Sequence, residues 1–301
     1  MKRVLVTGAA GFIGRHALEP LLARGYEVHA VSSRAAPQGP ARVHWHVADL
    51  LDTNATARLL ESVRATHLLH LAWHTSPGSF WSAPENFRWL ESGIALLRHF
   101  QHAGGTRVVM AGSCAEYEWN ASVYPETATL KPASPYGACK HALHLTLDAF
   151  CRLHRMSGAW GRIFFVFGPG EAPQRLVASS VAAMLRGEPA RCTDGLQVRD
   201  FMHVEDVAAA FVALLDGNVE GSVNIASGKG VTVRDVVLAA ADCLGTRDLV
   251  RLGELARGAD EPASLVADVA RLEREVRFSP RYDLRSGIAH AVEHWKSARA
   301  P

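Results

Sequence analysis

VLVTGAAGFIGRHAL, residues 4–18, runs from a β-branched apolar segment through Gly8, Gly11 and Gly14 into an amphipathic one. A strand ending at Thr7 and a helix opening near Gly11 would bracket a glycine loop. Such glycines permit a tight turn and let backbone N–H groups at a helix N-terminus approach a pyrophosphate, while the third allows close helix–strand packing. A turn that merely closes a helix onto a sheet is the alternative. Strand, loop and helix falling in the required order weighs against it.

Outward from this loop, short β-branched runs alternate with longer amphipathic segments. The strands read RVLVTG, EVHAVSS, RVHWHVAD, THLLHLAW, RVVMAGS and GRIFFVFG, with helical patterns at about 12–24, 54–63, 84–103 and 135–155. Alternation of this kind builds a parallel sheet, and apolar strands suit a sheet covered on both faces. The expected fold class is α/β, a doubly wound (Rossmann) sheet over residues 1–168 with a smaller C-terminal substrate-binding lobe over 169–301. The boundary is soft, because VEDVAAAFVALLDG and SVNIAS could return to the sheet.

Composition excludes several classes. Thirty-two Lys and Arg against 30 Asp and Glu leave a net charge of +2, which gives no general reason to bind nucleic acid or anionic lipid. No stretch approaches the roughly 20 apolar residues of a membrane span. Five cysteines, scattered without CxxC spacing, favour reduced thiols and a cytoplasmic location.

The end of the second strand selects the cofactor. VSSRAAP offers Ser32, Ser33 and Arg34 with no carboxylate for a ribose 2′-hydroxyl, so NADP(H) is favoured, with NAD(H) the alternative. Arg15 is a second candidate for the 2′-phosphate. Asp49 either reaches the adenine or caps the next helix.

SPYGACK, residues 134–140, places Tyr136 and Lys140 on one helix face, behind Ser134 as N-cap and Pro135 in the first turn. A phenol titrates near pH 10, and a neighbouring ammonium would lower that value enough for proton transfer. Ser113, at the end of the strand RVVMAGS, lies on the sheet edge where ligands bind.

Together Gly8, Gly11, Gly14, Ser113, Tyr136 and Lys140 resemble the extended short-chain dehydrogenase/reductase family, in its nucleotide-sugar epimerase, dehydratase and reductase branch. TGAAGFIG, HLAW, SPYGACK, FGPG and VRDFMHVEDVA match its motifs in order over nearly the whole chain. The resemblance implies that Ser113 and Tyr136 are the hydroxyl and the acid/base, with Lys140 binding the nicotinamide ribose. Phe12, Ile13, Leu50, Leu71 and Ala72 would join the glycines, Ser33, Arg34 and Asp49 around the cofactor. His74, Cys114 and Phe165 would line the sugar pocket, and Arg199 and Arg257 would hold the diphosphate. His203 and Asp206 would fix a loop and cap a helix. A homodimer through helices 84–103 and 135–155 is implied as well.

Departures from the family pattern sharpen the reading. Dehydratases of the family carry Asp-Glu after the catalytic hydroxyl; here Cys114 and Ala115 stand there, so dehydration is disfavoured, with Glu116 a remote substitute. Phe165 and Trp89 replace family asparagines. The function expected is NADPH-dependent reduction of a nucleotide-activated 4-keto-6-deoxy sugar. The alternatives are a nucleotide-sugar epimerase with retained NAD and a non-catalytic NADP(H)-binding sensor or scaffold. Histidine pairs such as His67/His70 and His141/His144 lack an adjoining carboxylate cluster in sequence, so no metal is expected. Trp73, Trp81 and Trp89 read as packing, and no Ser-His-Asp signature is present.

Overall fold

In the computed structural model, which describes residues 2–34, 40–258 and 261–297, strand β1 (Arg3–Thr7) ends at Gly8, whose φ of +67° turns the chain toward α1 (Gly14–Ala23). A Cβ on Gly8 would lie 2.7 Å from the Ala72 nitrogen, and one on Gly14 would lie 2.1 Å from the Gly8 carbonyl oxygen. The loop is thus pressed between helix and sheet, and α1 begins at the third glycine rather than near Gly11. Gly14→Ala is expected to cost about 1–3 kcal/mol by prising loop from helix, and to weaken dinucleotide binding; a thermal melt and a cofactor titration check both.

The chain continues through β2 (Glu27–Ser32), β3 (Val43–Val47), α2 (Thr53–Val63), β4 (His67–His70), α3 (Glu85–His102), β5 (Arg107–Ser113), β6 (Val123–Tyr124), α4 (Pro135–His154), β7 (Ser157–Ile163) and β8 (Phe165–Phe167). Then come α5 (Leu176–Leu185), β9 (Ala190–Arg191), β10 (Val198–His203), α6 (Val204–Asp216), β11 (Gly221–Ile225), β12 (Gly230–Thr232), α7 (Val233–Leu244), β13 (Val250–Arg251), β14 (Ser264–Ala267), α8 (Ala270–Arg274) and α9 (Leu284–Ser297). The main sheet is parallel, in the order β11-β7-β5-β4-β1-β2-β3.

Strand alternation divides the core. Val4 and Val6 face a cluster with Ala17, Leu18 and Leu21 of α1 and Phe211 and Leu214 of α6. Leu5, between them, faces the opposite cluster, with Leu60 of α2, Leu97 of α3 and Leu143 of α4. Helices therefore cover both faces, as a doubly wound sheet requires.

The stretch GRIFFVFG, read as one strand, is two. Through Ile163 it pairs with β5 and β11, then Phe164 breaks the ladder and β8 pairs instead with β10 of a second sheet, ordered β12-β10-β14-β6. Apart from Arg162 the run is apolar on both faces, so the sequence carries no mark at the point of departure. Conversely, α6 packs against α1 and β11 completes the main sheet. The C-terminal lobe is thereby interleaved with the first rather than appended to it, and we treat residue 168 as the entry to the lobe rather than as a clean domain boundary. Among the described residues no helix is long and apolar enough to cross a membrane.

Candidate active site

Ser113 closes β5, and its Oγ accepts a hydrogen bond from the Ala115 N–H at 3.2 Å as the chain turns into a short 3-10 segment, Cys114–Glu116. Across from it, Ser134 caps α4 by accepting from the Gly137 N–H, and Pro135 occupies the first turn, so Tyr136 enters one residue into the helix. The ring of Tyr136 is met edge-on by Phe80, Trp81 and Trp73, with centroids 4.9, 5.7 and 6.5 Å away. Burial pushes its phenol up to about 12, while the Ser113 hydroxyl and the charge of Arg175 pull in the other direction.

Lys140 is buried one turn on. Its ammonium donates to the Ala111 carbonyl at 2.8 Å and lies 3.8 Å above the Trp73 ring. Burial pulls it down to about 7; the carbonyl and the ring face both favour the charged form. The expected acidification of Tyr136 by Lys140 is not what sets the phenol in this arrangement. The ammonium is committed to Ala111 and Trp73; the phenol is drawn down by Ser113 and Arg175, the latter at the start of α5 and absent from the sequence reading, and pushed up by Cys114 and Glu116.

Glu116 does not enter the site. The 3-10 turn swings its wholly buried carboxylate inward, where Oε1 accepts from the Ser113 N–H and Trp160 Nε1, both at 2.8 Å, and Oε2 accepts from Arg162 Nε at 3.2 Å. It holds the backbone of Ser113 from behind. Cys114 is buried, and desolvation pushes its thiol up to about 12, so it supplies neither thiolate nor base.

Along the same C-terminal edge of the sheet, two strands away from β5, α1 has no side-chain cap and no acidic residue in its first turn. Backbone N–H groups and the positive helix end are left for an anion, so the loop fits a dinucleotide pyrophosphate. Phe12 and Ile13 are half-buried in this loop, and Leu71 and the buried Ala72 follow β4 against Gly8, with Leu71 donating to the Thr7 carbonyl at 3.2 Å. Ser33 and Arg34 are exposed just past β2; the last three residues of VSSRAAP, 35–37, lie outside the described residues. Arg15 is folded back onto the Gly11 and Ala10 carbonyls and stands against Gly170. Exposed Asp49 accepts from the Leu51 N–H, while the cap of α2 is Asp52; the buried Leu50 offers its carbonyl to Ser92 Oγ at 2.6 Å.

Past Cys114, whose thiol feels the charge of Arg199, stand two guanidiniums. Arg199 is buried on β10 with its charge 5.5 Å above the Phe165 ring. Its Nη2 donates to Glu261 Oε1 at 2.8 Å, and Arg257 Nε lies 3.8 Å from the other oxygen of the same carboxylate. His74 is half-buried after β4. His203 caps α6 through Nδ1, whereas Asp206 accepts from the Arg281 and Tyr282 N–H groups rather than capping.

Two groupings correct the view that no carboxylate joins the histidines. Folding brings Glu116 to His141 and His144, and Glu205 to His203 and His290. Both carboxylates are engaged by cations, Arg162 in the first and Arg281 in the second. Sequence spacing also missed Asn86, which accepts from Trp73 Nε1 at 2.8 Å and donates to the Phe80 and Ala83 carbonyls, pinning the aromatic wall. Asp200, wholly buried, gathers the N–H groups of Ser227, Gly228 and Ala267.

The model of the NAD dependent epimerase/dehydratase family matches residues 4–226. A UDP-glucose 4-epimerase of Mycolicibacterium smegmatis is 29% identical, over 98% of this chain and 99% of its own length. The UDP-glucose 4-epimerase of Thermus thermophilus, solved in complex with NAD, is 29% identical with a TM-score of 0.89, covering 98% of this chain and 99% of that one. MoeE5, solved with UDP-glucuronic acid and NAD, is 32% identical with a TM-score of 0.86 over 98% and 99% of the two chains. A glycine loop at an uncapped helix, a serine and a tyrosine meeting at the end of β5, and a match across three quarters of the sequence agree: the chain belongs to the NAD-dependent epimerase/dehydratase family.

Proposed function

We propose that the protein is a nucleotide-sugar 4-epimerase working with retained NAD. One observation carries the reading: Cys114 has beside it the hydroxyl pair Ser113 and Tyr136 and, acting on its thiol, the charge of Arg199, which shares a single anionic group with Arg257. A ligand with an alcohol at one end and a diphosphate at the other matches both. The epimerase names of the relatives, and the NAD in the solved neighbours, support retained NAD over the NADPH-dependent reduction expected from sequence.

A bound nicotinamide dinucleotide supplies a two-electron acceptor and, when oxidised, a positive charge. Tyr136 takes the proton of the sugar 4-hydroxyl and returns it after the carbonyl has presented its other face. Ser113 holds the same oxygen throughout. Lys140, fixed by Ala111 and Trp73, binds the cofactor ribose. Cys114, kept as a thiol by burial, gives no proton shuttle for water elimination, which weighs against a dehydratase. Phe165 in place of a polar residue makes the sugar pocket more apolar. The hydroxyl pair weighs against a sensor without turnover.

Arg34 favours the second reading, an NADPH-dependent 4-ketoreductase. The deciding experiment is mass spectrometry of the cofactor that survives purification, with NMR of UDP-glucose and UDP-glucuronic acid incubated with the protein. Tightly held NAD and interconversion at C4 are expected; stoichiometric NADPH consumption by a nucleotide 4-keto sugar would overturn the epimerase. Arg34→Ala should change NADP(H) and NAD(H) affinity alike if NAD is the cofactor. A loss of NADP(H) binding about tenfold or more, with NAD(H) untouched, would show that Arg34 reads a 2′-phosphate. A homodimer is consistent with Phe87 on α3 and Leu145 and Leu153 on α4, apolar and exposed, and a cytoplasmic location with the unpaired cysteines.

A further inference from the structure

Arg199 and Arg257 already hold an anion, and that anion belongs to the chain. Glu261 Oε1 accepts from Arg199 Nη2 at 2.8 Å and from Gln197 Nε2 at 3.4 Å, and Oε2 faces Arg257 Nε at 3.8 Å. One oxygen toward each guanidinium is the pattern that phosphate oxygens would present.

The three partners are not equally free to leave. The Arg199 side chain is 4% exposed, and it is tied by Nη1 to the Val198 carbonyl at 2.8 Å with the Phe165 ring beneath it. Glu261 is 31% exposed and lies outside any helix or strand. The carboxylate can therefore swing to water at small cost, whereas Arg199 cannot move without stranding a buried charge.

We propose that Glu261 is an internal competitor for the anion subsite, which an incoming diphosphate displaces. This rests on the reading of Arg199 and Arg257 as diphosphate-binding residues. While Glu261 is in place, its charge cancels one of the two cations, so the pair of guanidiniums attracts weak anions poorly. A group with two phosphates takes both guanidiniums and releases the carboxylate to solvent. Glu261 thus trades affinity for selectivity and for release of product.

Calorimetric titration with UDP, and with inorganic pyrophosphate as a probe indifferent to the base, tests the idea on wild type, Glu261→Gln and Arg199→Gln. The glutamine keeps a neutral acceptor for Arg199, and a melting curve checks that it folds. Glu261→Gln is expected to bind both probes about three- to fivefold more tightly, a charge effect of the size seen at exposed pairs, with a steeper loss of affinity in salt. Unchanged or weaker binding in Glu261→Gln, alongside weakened binding in Arg199→Gln, would overturn the competitor while leaving the anion site standing. Equal binding by wild type and Arg199→Gln would instead remove the anion site itself, and the competitor with it.

Discussion

Tyr136→Phe should abolish most turnover, lowering kcat by about 10²–10⁴-fold, while cofactor binding and the melting temperature stay near wild type. The phenyl ring keeps every edge-on contact with Phe80, Trp81 and Trp73, so the variant removes one oxygen and no packing. That oxygen is the group placed to exchange a proton with the substrate. With burial holding the phenol at about 12, Tyr136 is neutral across the physiological range, and proton abstraction gains speed as pH rises toward that value. The wild-type rate should accordingly climb on the alkaline side, from the deprotonating form, and Tyr136→Phe should lose that limb. A rate and pH profile unchanged from wild type would exclude Tyr136 as the acid/base. Ser113→Ala should give a smaller loss with the phenol displaced further upward, because the Ser113 hydroxyl is one of the groups that draw it down.

What the sequence discloses and what it hides divide along physical lines. The glycine loop, the cap and first turn of α4, and the alternation of strands and helices are local, each written within a few residues; the structure carries them to within about two residues, apart from the start of α1, the end of THLLHLAW, where β4 already stops at His70, and GRIFFVFG, whose first strand begins at Ser157. Pairings between distant segments were illegible. Lys140 was expected to act on Tyr136, one turn away, yet its ammonium is taken by Ala111, 29 positions earlier, and by Trp73. Glu261 meets Arg199 across 62 positions, and nothing in either stretch announces it. The break at Phe164 was hidden because both flanking runs are apolar apart from Arg162, and the direction of Glu116 because strand alternation ends at the 3-10 turn. The grouping of His141 and His144 with Glu116 was hidden for the same reason, since that carboxylate comes from another element with Arg162 attached; at His203 the carboxylate, Glu205, is only two residues on, and the distant partner is His290.

Behind Ser113, Arg162→Met should be the most destabilising single change in the core. The guanidinium is buried on β7, where Nε donates to Glu116 Oε2 at 3.2 Å and Nη1 to the Tyr117 hydroxyl and the Glu126 carbonyl at 3.0 and 3.1 Å. Methionine fills much of the volume but leaves the Glu116 carboxylate, with no exposed surface, facing Trp160 and Ser113 without its cation. Stranding one half of a buried ion pair costs about 3–5 kcal/mol, read as a fall in the denaturation midpoint. Since the same carboxylate anchors the Ser113 N–H, kcat should fall as well, though Arg162 touches no substrate. The pair Glu116→Gln with Arg162→Met separates the two effects. Removing both charges lifts the penalty of the lone carboxylate, so the double variant should be more stable than Arg162→Met alone. Its glutamine carbonyl can still accept from Ser113, and activity should return with the stability. A double variant as unstable as the single one would mean that Arg162 acts by packing and by its bonds to Tyr117 and Glu126.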